Sequence, residues 1–475
     1  MNLVSFQFAL FFLLVLPLNW LLRSFPLTYR CFLLCASYIF YGSISLSYLL
    51  VLVHFSFWTW VFGEAICRAR SATKARAWLV LHLLVGLGGL AFFKYFDLLY
   101  DSMDLLLVPR GLGNPLPQWD IILPIGISFF TFQGLSYTID VYRERQARAR
   151  TGLDVFVFVA FFPTLLNGPI LRARTFLPQL MAPGITRDAV ANGLFLIISG
   201  LFKKLVVASY LSEHLVARVF ESPGEFSSLG VAIGALGYSV QILFDFSGFT
   251  DLVLGIGLLM GFTLPDNFDF PYSATNLRQF WRRWHISFST WLRDYLYISM
   301  GGNRKGKVRT HANLLVTMLL GGLWHGAGFN FIVWGLLHGI GLSATHIIHD
   351  VRSTFPRRGY DPAAWLWKGG AWAATLLFVT LAWVFFGASS FTQAMDILQR
   401  IATWDMVGEG APVACVVLIA LALLREATRF SLQSPYVKAT SWLPGLVQGC
   451  IAGILISLIL RLGPDGVPQF IYFQF

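Results

Sequence analysis

The chain has 475 residues, of which 56% are hydrophobic and only 12% charged, about half the charged share of an ordinary soluble domain. That balance, with 44 Phe, excludes a chain solvated by water alone. The net charge of +11 would suggest nucleic acid in a soluble protein. In so apolar a chain it reads instead as the cytoplasmic excess of Lys and Arg that orients membrane helices, so lipid and not nucleic acid is the expected surrounding.

Crossing a ~30 Å hydrocarbon layer takes about 20 apolar residues. Runs of that kind are predicted near 4–22, 31–62 (one long or two short), 78–100, 121–142, 153–170, 190–212, 228–262, 312–348 (two), 370–388, 411–424 and 444–461. They make about 11 to 13 hydrophobic segments of an all-α polytopic membrane protein, a single integral membrane domain over 1–475. Several contain Gly or Pro, which predicts re-entrant or broken helices where protein or water satisfies the freed backbone groups. The opening MNLVSFQF has no basic n-region and no small-residue cleavage site follows, so the first run is expected to remain as a transmembrane helix. Arg68, Arg70, Lys74 and Arg76 fill one short loop, and Arg143, Arg145, Arg148 and Arg150 another. Between them, 101–120 is poor in basic residues, which places the two basic loops in the cytoplasm and 101–120 outside. Cys31, Cys35, Cys67, Cys415 and Cys450 are scattered and read as small packing residues.

The least hydrophobic long stretch runs from about 264 to 311. Its 278–309 window sets eight Lys and Arg against Asp294 and holds seven of the eleven net positive charges. Trp281, Trp284, Phe288, Trp291, Tyr295 and Ile298 recur there at spacings of three and four, a helical aromatic stripe. Arg282, His285, Ser289 and Leu292 form its neighbour. A basic helix with a Trp-rich face suits a membrane–water interface or the mouth of a cavity. The stretch ends in Met300-Gly301-Gly302-Asn303-Arg304-Lys305-Gly306-Lys307, a basic turn suited to the cytoplasmic side or to a phosphate-bearing ligand.

His325 sits in Gly321-Gly322-Leu323-Trp324-His325-Gly326-Ala327-Gly328, at a break between two apolar runs. An ionisable residue at membrane depth is a functional hypothesis by default. A neutral imidazole there is either a general base for acyl transfer to a hydroxyl or a packed histidine bonding a neighbouring helix. His338 follows 13 residues later and would face away from it on one continuous helix. His285, 40 residues before His325, is the second candidate, able to position a substrate or tune His325. Lys94, Asp140, Asp245 and Asp251 are further ionisable groups in apolar surroundings. Asp245 is expected to pair with Arg282 or to orient a histidine. His346 and His349 beside Asp350 lack further ligands, so no metal site is expected.

Five stretches carry a family resemblance: WRRWHISFSTWLRDYLYISMGGN (281–303), LLGGLWHGAGFNFIVWGLLHG (319–339), LFDFSGFTDLVLGIGLLMGF (243–262), LPIGISFFTFQGLSYTIDVYR (123–143) and FIYFQF (470–475). FPTLLNGPI (162–170) adds a weaker match. They resemble the membrane-bound O-acyltransferase (MBOAT) family, in its bacterial exopolysaccharide branch of alginate- and cellulose-acetylating subunits. The resemblance implies helices funnelling from both faces to a central pore, with a core over about 78–350 and peripheral helices at 1–77 and 351–475. It implies His325 as the catalytic histidine and His285 as the second motif histidine. Arg282, Trp281, Trp284, Ser289, Asp245, Trp324, Asn303 and Lys305 are the candidates for binding donor or substrate. The expected substrate is acetyl-CoA or another cytoplasmic acetyl donor, with no bound cofactor. The expected partners are a periplasmic acetyltransferase of SGNH type and a polysaccharide synthesis and secretion complex at the bacterial inner membrane. The competing readings are a transporter or channel for the polymer or a small anion, D-alanyl transfer to teichoic acid, and a scaffold for a secretion complex.

Overall fold

The structure is a computed structural model that describes residues 1–119, 121–144, 147–181, 184–354 and 364–463. FIYFQF and Arg145 lie outside them. The regular elements among the described residues are all helices, apart from one isolated bridge between Phe226 and Glu409. Eight helices among them are long and apolar enough to cross a bilayer: Phe6–Ser24, Leu46–Arg68, Ala72–Arg110, Arg187–Glu221, Ser228–Leu259, Phe329–Val351, Trp365–Gly387 and Gly445–Leu462. The protein is therefore a multi-pass membrane protein. The remaining expected runs form shorter or less apolar helices or broken segments.

Chain packing divides the molecule into two compact units, Met1–Ile185 with Ile256–Leu264, and Thr186–Gly255 with Pro265–Phe475. The first holds α1 (Phe6–Leu21), α2 (Pro26–Gly42), α3 (Leu46–Arg68), α4 (Ala72–Leu107), α5 (Ile127–Arg143) and α6 (Gly152–Ala160). Ser5, Ser45, Ser71 and Thr151 start α1, α3, α4 and α6, each side-chain oxygen accepting a first-turn N–H that the helix leaves unpaired. α4 and α5 run antiparallel: His82 bonds Thr138 at 2.9 Å, and a turn away a Cβ on Gly86 would meet Leu135. The apolar run expected over 153–170 is not one helix. α6 ends at Ala160, and Pro163, which lacks an N–H, opens a separate turn over Phe162–Leu165. Phe161 to Ile170 are all buried, so the freed backbone sits inside protein rather than in lipid.

The second unit holds α7 (Arg187–Leu201), which continues through two π-helical stretches to Glu221. It also holds most of α8 (Ser228–Leu259), then α9 (Leu277–Trp281), α10 (Ile286–Trp291), α11 (Lys307–His325), α12 (Phe329–Thr354) and α13 (Ala364–Gly387). α14 (Phe391–Ala402), α15 (Val413–Thr428), α16 (Gln433–Thr440) and α17 (Gly445–Leu462) complete it. Two ion pairs tie the continuation of α7 to α8: Lys204 to Asp245, and Lys203 to Asp251 at 2.6 Å.

α11 and α12 fold back on each other through Gly326-Ala327-Gly328 and make the most extensive helix–helix contact. Glycines let the two backbones touch. A Cβ on Gly322 would collide with the Phe331 carbonyl oxygen, and one on Gly335 would lie 2.6 Å from that of Met318. With no hydrophobic drive between helices in lipid, such close packing is a main source of association. Gly322→Ala should therefore destabilise by about 1–3 kcal/mol, read as a lower Tm in detergent, whereas Gly453→Ala, which meets nothing within 4 Å, should not. Equal Tm values for the two would show a looser crossing.

Candidate active site

His285 sits on a broken helix, where the aromatic stripe predicted a continuous one. Asn276 caps α9, its side chain accepting from Gln279 N–H. The helix stops at Trp281, and His285 adopts a left-handed conformation with φ of +41°. For a residue other than Gly that costs roughly 1–3 kcal/mol. The segment after α8 holds it there. Ile286 N–H donates to the Asn267 carbonyl at 3.0 Å, Ser287 N–H to Asn267 Oδ1 at 3.1 Å, and Asp269 N–H to the Arg283 carbonyl at 3.0 Å. Asn267 Oδ1 also lies 3.4 Å from His285 Nδ1. An amide oxygen only accepts, so Nδ1 carries the proton and Nε2 the lone pair. Phe246 and Phe288 flank the ring at 4.8 and 5.0 Å, and burial pushes the His285 pKa down, to about 3.

His325 is the last residue of α11 and is 6% exposed. Its ring lies 4.7 Å from Trp324, 4.9 Å from Phe386, 5.2 Å from Trp334 and 5.8 Å from Phe288. Phe288 stacks on Trp324 at 4.4 Å, and Trp324 reaches His285 at 6.3 Å. Phe288 and Trp324 therefore join the two histidines in one aromatic cluster. His338 joins it as well. The spacing argument separated it from His325 on a continuous helix, but the turn at 326–328 reverses the chain. Trp334 then touches both rings, at 5.2 and 4.8 Å.

The other expected site residues divide into two groups. Trp281, Trp284 and Trp324 are buried inside the cluster, not at an interface. Trp281 Nε1–H donates to His338 Nδ1 at 3.3 Å, Trp284 packs on Trp383 at 4.8 Å, and Ser289 donates to the Trp284 carbonyl at 3.1 Å. Arg282, Asn303 and Lys305 are exposed, the last two on the glycine turn before α11. Asp245 is a correction: it takes Lys204, buried on the π-helical stretch after α7, as its ion partner, not Arg282. Asn267, Trp334 and Phe386 escaped the sequence reading, and His338 was set aside there as facing away from His325. Only the adjacency of Trp334 and His338 to the His325 break hinted at them. A cavity of about 960 Å³ lies beside His285, lined by Asn267, Ile286, Asp251, Lys203 and Arg425 among others.

Residues 116–401 match the model of the membrane-bound O-acyltransferase family. The chain is 36% identical to a Pseudomonas putida protein named "Probable alginate O-acetylase AlgI", over 93% of this chain and 94% of that one. It is 35% identical to a Helicobacter pylori peptidoglycan O-acetyltransferase, over 96% and 89%. A Bacillus subtilis teichoic acid D-alanyltransferase is 28% identical over 47% and 59%. The chain belongs to the membrane-bound O-acyltransferase family.

The correction at Asp245 is testable without an activity assay. Breaking a buried ion pair strands one charge, at a cost of about 3–5 kcal/mol, whereas replacing both partners with apolar residues is often neutral. Lys204→Met should lower Tm sharply and Lys204→Met with Asp245→Leu should recover most of it. A double variant no better than the single would mean that Asp245 serves another partner.

Proposed function

We propose that this acyltransferase takes acetyl from a cytoplasmic thioester, acetyl-CoA or an acyl carrier, and relays it across the bacterial inner membrane to modify an extracytoplasmic polysaccharide. The observation that carries the reading is the meeting of His285 and His325 in one buried aromatic cluster. His325 is the base. Its ring takes the proton of the acceptor hydroxyl as the oxygen attacks the acyl carbonyl carbon, and the thiolate leaves with a proton. The positive charge forms at the C-terminal end of α11, where the helix dipole is negative. Aromatic walls exclude water, which would otherwise hydrolyse the thioester. His285, oriented by Asn267, supports the reacting groups from the far side of Phe288.

The relatives named for alginate and peptidoglycan point to polysaccharide as the acceptor class, and alginate and cellulose are the polymers to test. The weaker match to D-alanyl transfer covers under half of the chain, which favours acetyl. A periplasmic acetyltransferase of SGNH type is the proposed recipient, within a synthesis and secretion complex. The exposed basic turn and Arg282 are proposed to face the cytoplasm and draw in an anionic donor.

His325→Ala should insert normally and abolish polysaccharide acetylation in cells, and retained acetylation would refute the role. Arg282→Glu with Lys305→Glu should raise the donor Kd several-fold at low ionic strength and much less at high salt, where surface charges are screened. Unchanged donor binding at low salt would remove the steering role.

A further inference from the structure

Two buried N–H donors of the cluster, on Trp334 and His338, have no acceptor among the described residues. Trp334 is 1% exposed and His338 fully buried. An indole N–H only donates. Since Trp281 donates to His338 Nδ1, that nitrogen carries no proton, and the proton of the neutral ring lies on Nε2. Neither His338 Nε2 nor Trp334 Nε1 has a hydrogen-bond partner among the described residues. The two rings are 4.8 Å apart, and Trp334 is 5.2 Å from His325. Their other neighbours, Phe378, Trp383 and Phe386, offer no acceptor in their side chains. Leaving a buried N–H unpaired costs about 1–3 kcal/mol, and the large majority of buried side-chain polar atoms in native proteins are paired. Two of them on adjoining rings, one of which packs against the proposed base, suit one oxygen with two lone pairs.

We propose that Trp334 and His338 form the receptor for the acyl carbonyl, donating to its oxygen while His325 activates the hydroxyl. The inference rests on the acyl-transfer reading and adds two residues to it. The hydroxyl oxygen forms a bond to the carbonyl carbon and yields its proton to His325 as the C=O electron pair moves onto oxygen. The resulting oxyanion is held by the two N–H groups. The pair then returns, the carbon–sulfur bond breaks, and the thiolate departs with the proton from His325. Trp281 is a positioning residue, fixing the tautomer of His338 so that Nε2 donates.

Trp334→Phe and His338→Phe keep a ring and remove the donor. Each should lower kcat for transfer from an acetyl thioester by roughly 10²-fold, the order expected for one oxyanion donor, with donor KM within about twofold. His338→Gln, whose amide both accepts and donates, should recover much of the loss. Unchanged kcat in both Phe variants would overturn the proposal. A second measurement needs no variant: the infrared stretch of a ¹³C-labelled methyl ketone analogue of an acetyl thioester, bound to the wild type. The band should fall below its position in hexane, and finding it at the hexane position would overturn the receptor. A wild type that transfers no acetyl from any thioester would instead overturn the function on which the proposal rests.

Discussion

The close crossing of α11 on α12 is the constraint on which the site depends. Gly322 lies against the Phe331 carbonyl and Gly335 against that of Met318, so the two backbones meet with nothing between them. That contact sets the position of the turn at 326–328, and the turn sets the geometry of three rings. His325 ends one helix, while Trp334 and His338 lie on the second and third turns of the next. A side chain at either glycine would part the helices and pull His325 from Trp334 and Phe386. The candidate site is therefore mounted on a packing contact, as expected where precise placement must come from rigid elements.

The second histidine is placed by the opposite means. His285 has no long helix behind it; it occupies a left-handed turn between two short ones. Its strain is offset locally by Asn267 and by Asp269, whose backbone and side-chain bonds fasten the strand-like segment 267–269 to 283–287. Each such bond contributes about 1 kcal/mol, enough together to hold a residue that would otherwise return to the helical region. A strained backbone retained at a buried imidazole is characteristic of functional sites.

The fold class was legible because composition and run length alone set the solvent. The two motif histidines were legible through the resemblance, and His325 also through its glycine break. The aromatic stripe was misleading for a physical reason. Spacings of three and four report a helix only if the backbone stays helical, and no side-chain pattern announces that His285 leaves it. The stripe's aromatic rings then turn inward to pack a core, where Trp in membrane proteins is otherwise common at the interface. Asp245 was misassigned because its partner, Lys204, lies 41 residues away on a π-helical stretch that no local pattern around Asp245 marks. Asn267 was invisible for want of any local signal: its role comes from a contact 18 residues away.

His338 shows how a correct rule can give the wrong neighbourhood. Thirteen residues do separate the faces of a straight helix, but glycines at 326 and 328 end that helix first. Once the chain reverses, sequence distance along the helix becomes proximity across the hairpin, and Trp334 bridges the two imidazoles. The same reversal carries Trp281 to His338, since α9 packs on α12. The indole bond at Nδ1 then decides which nitrogen of His338 bears the proton. The glycine break between two apolar runs thus has a larger consequence: it determines which hydrogen-bond donors lie beside His325.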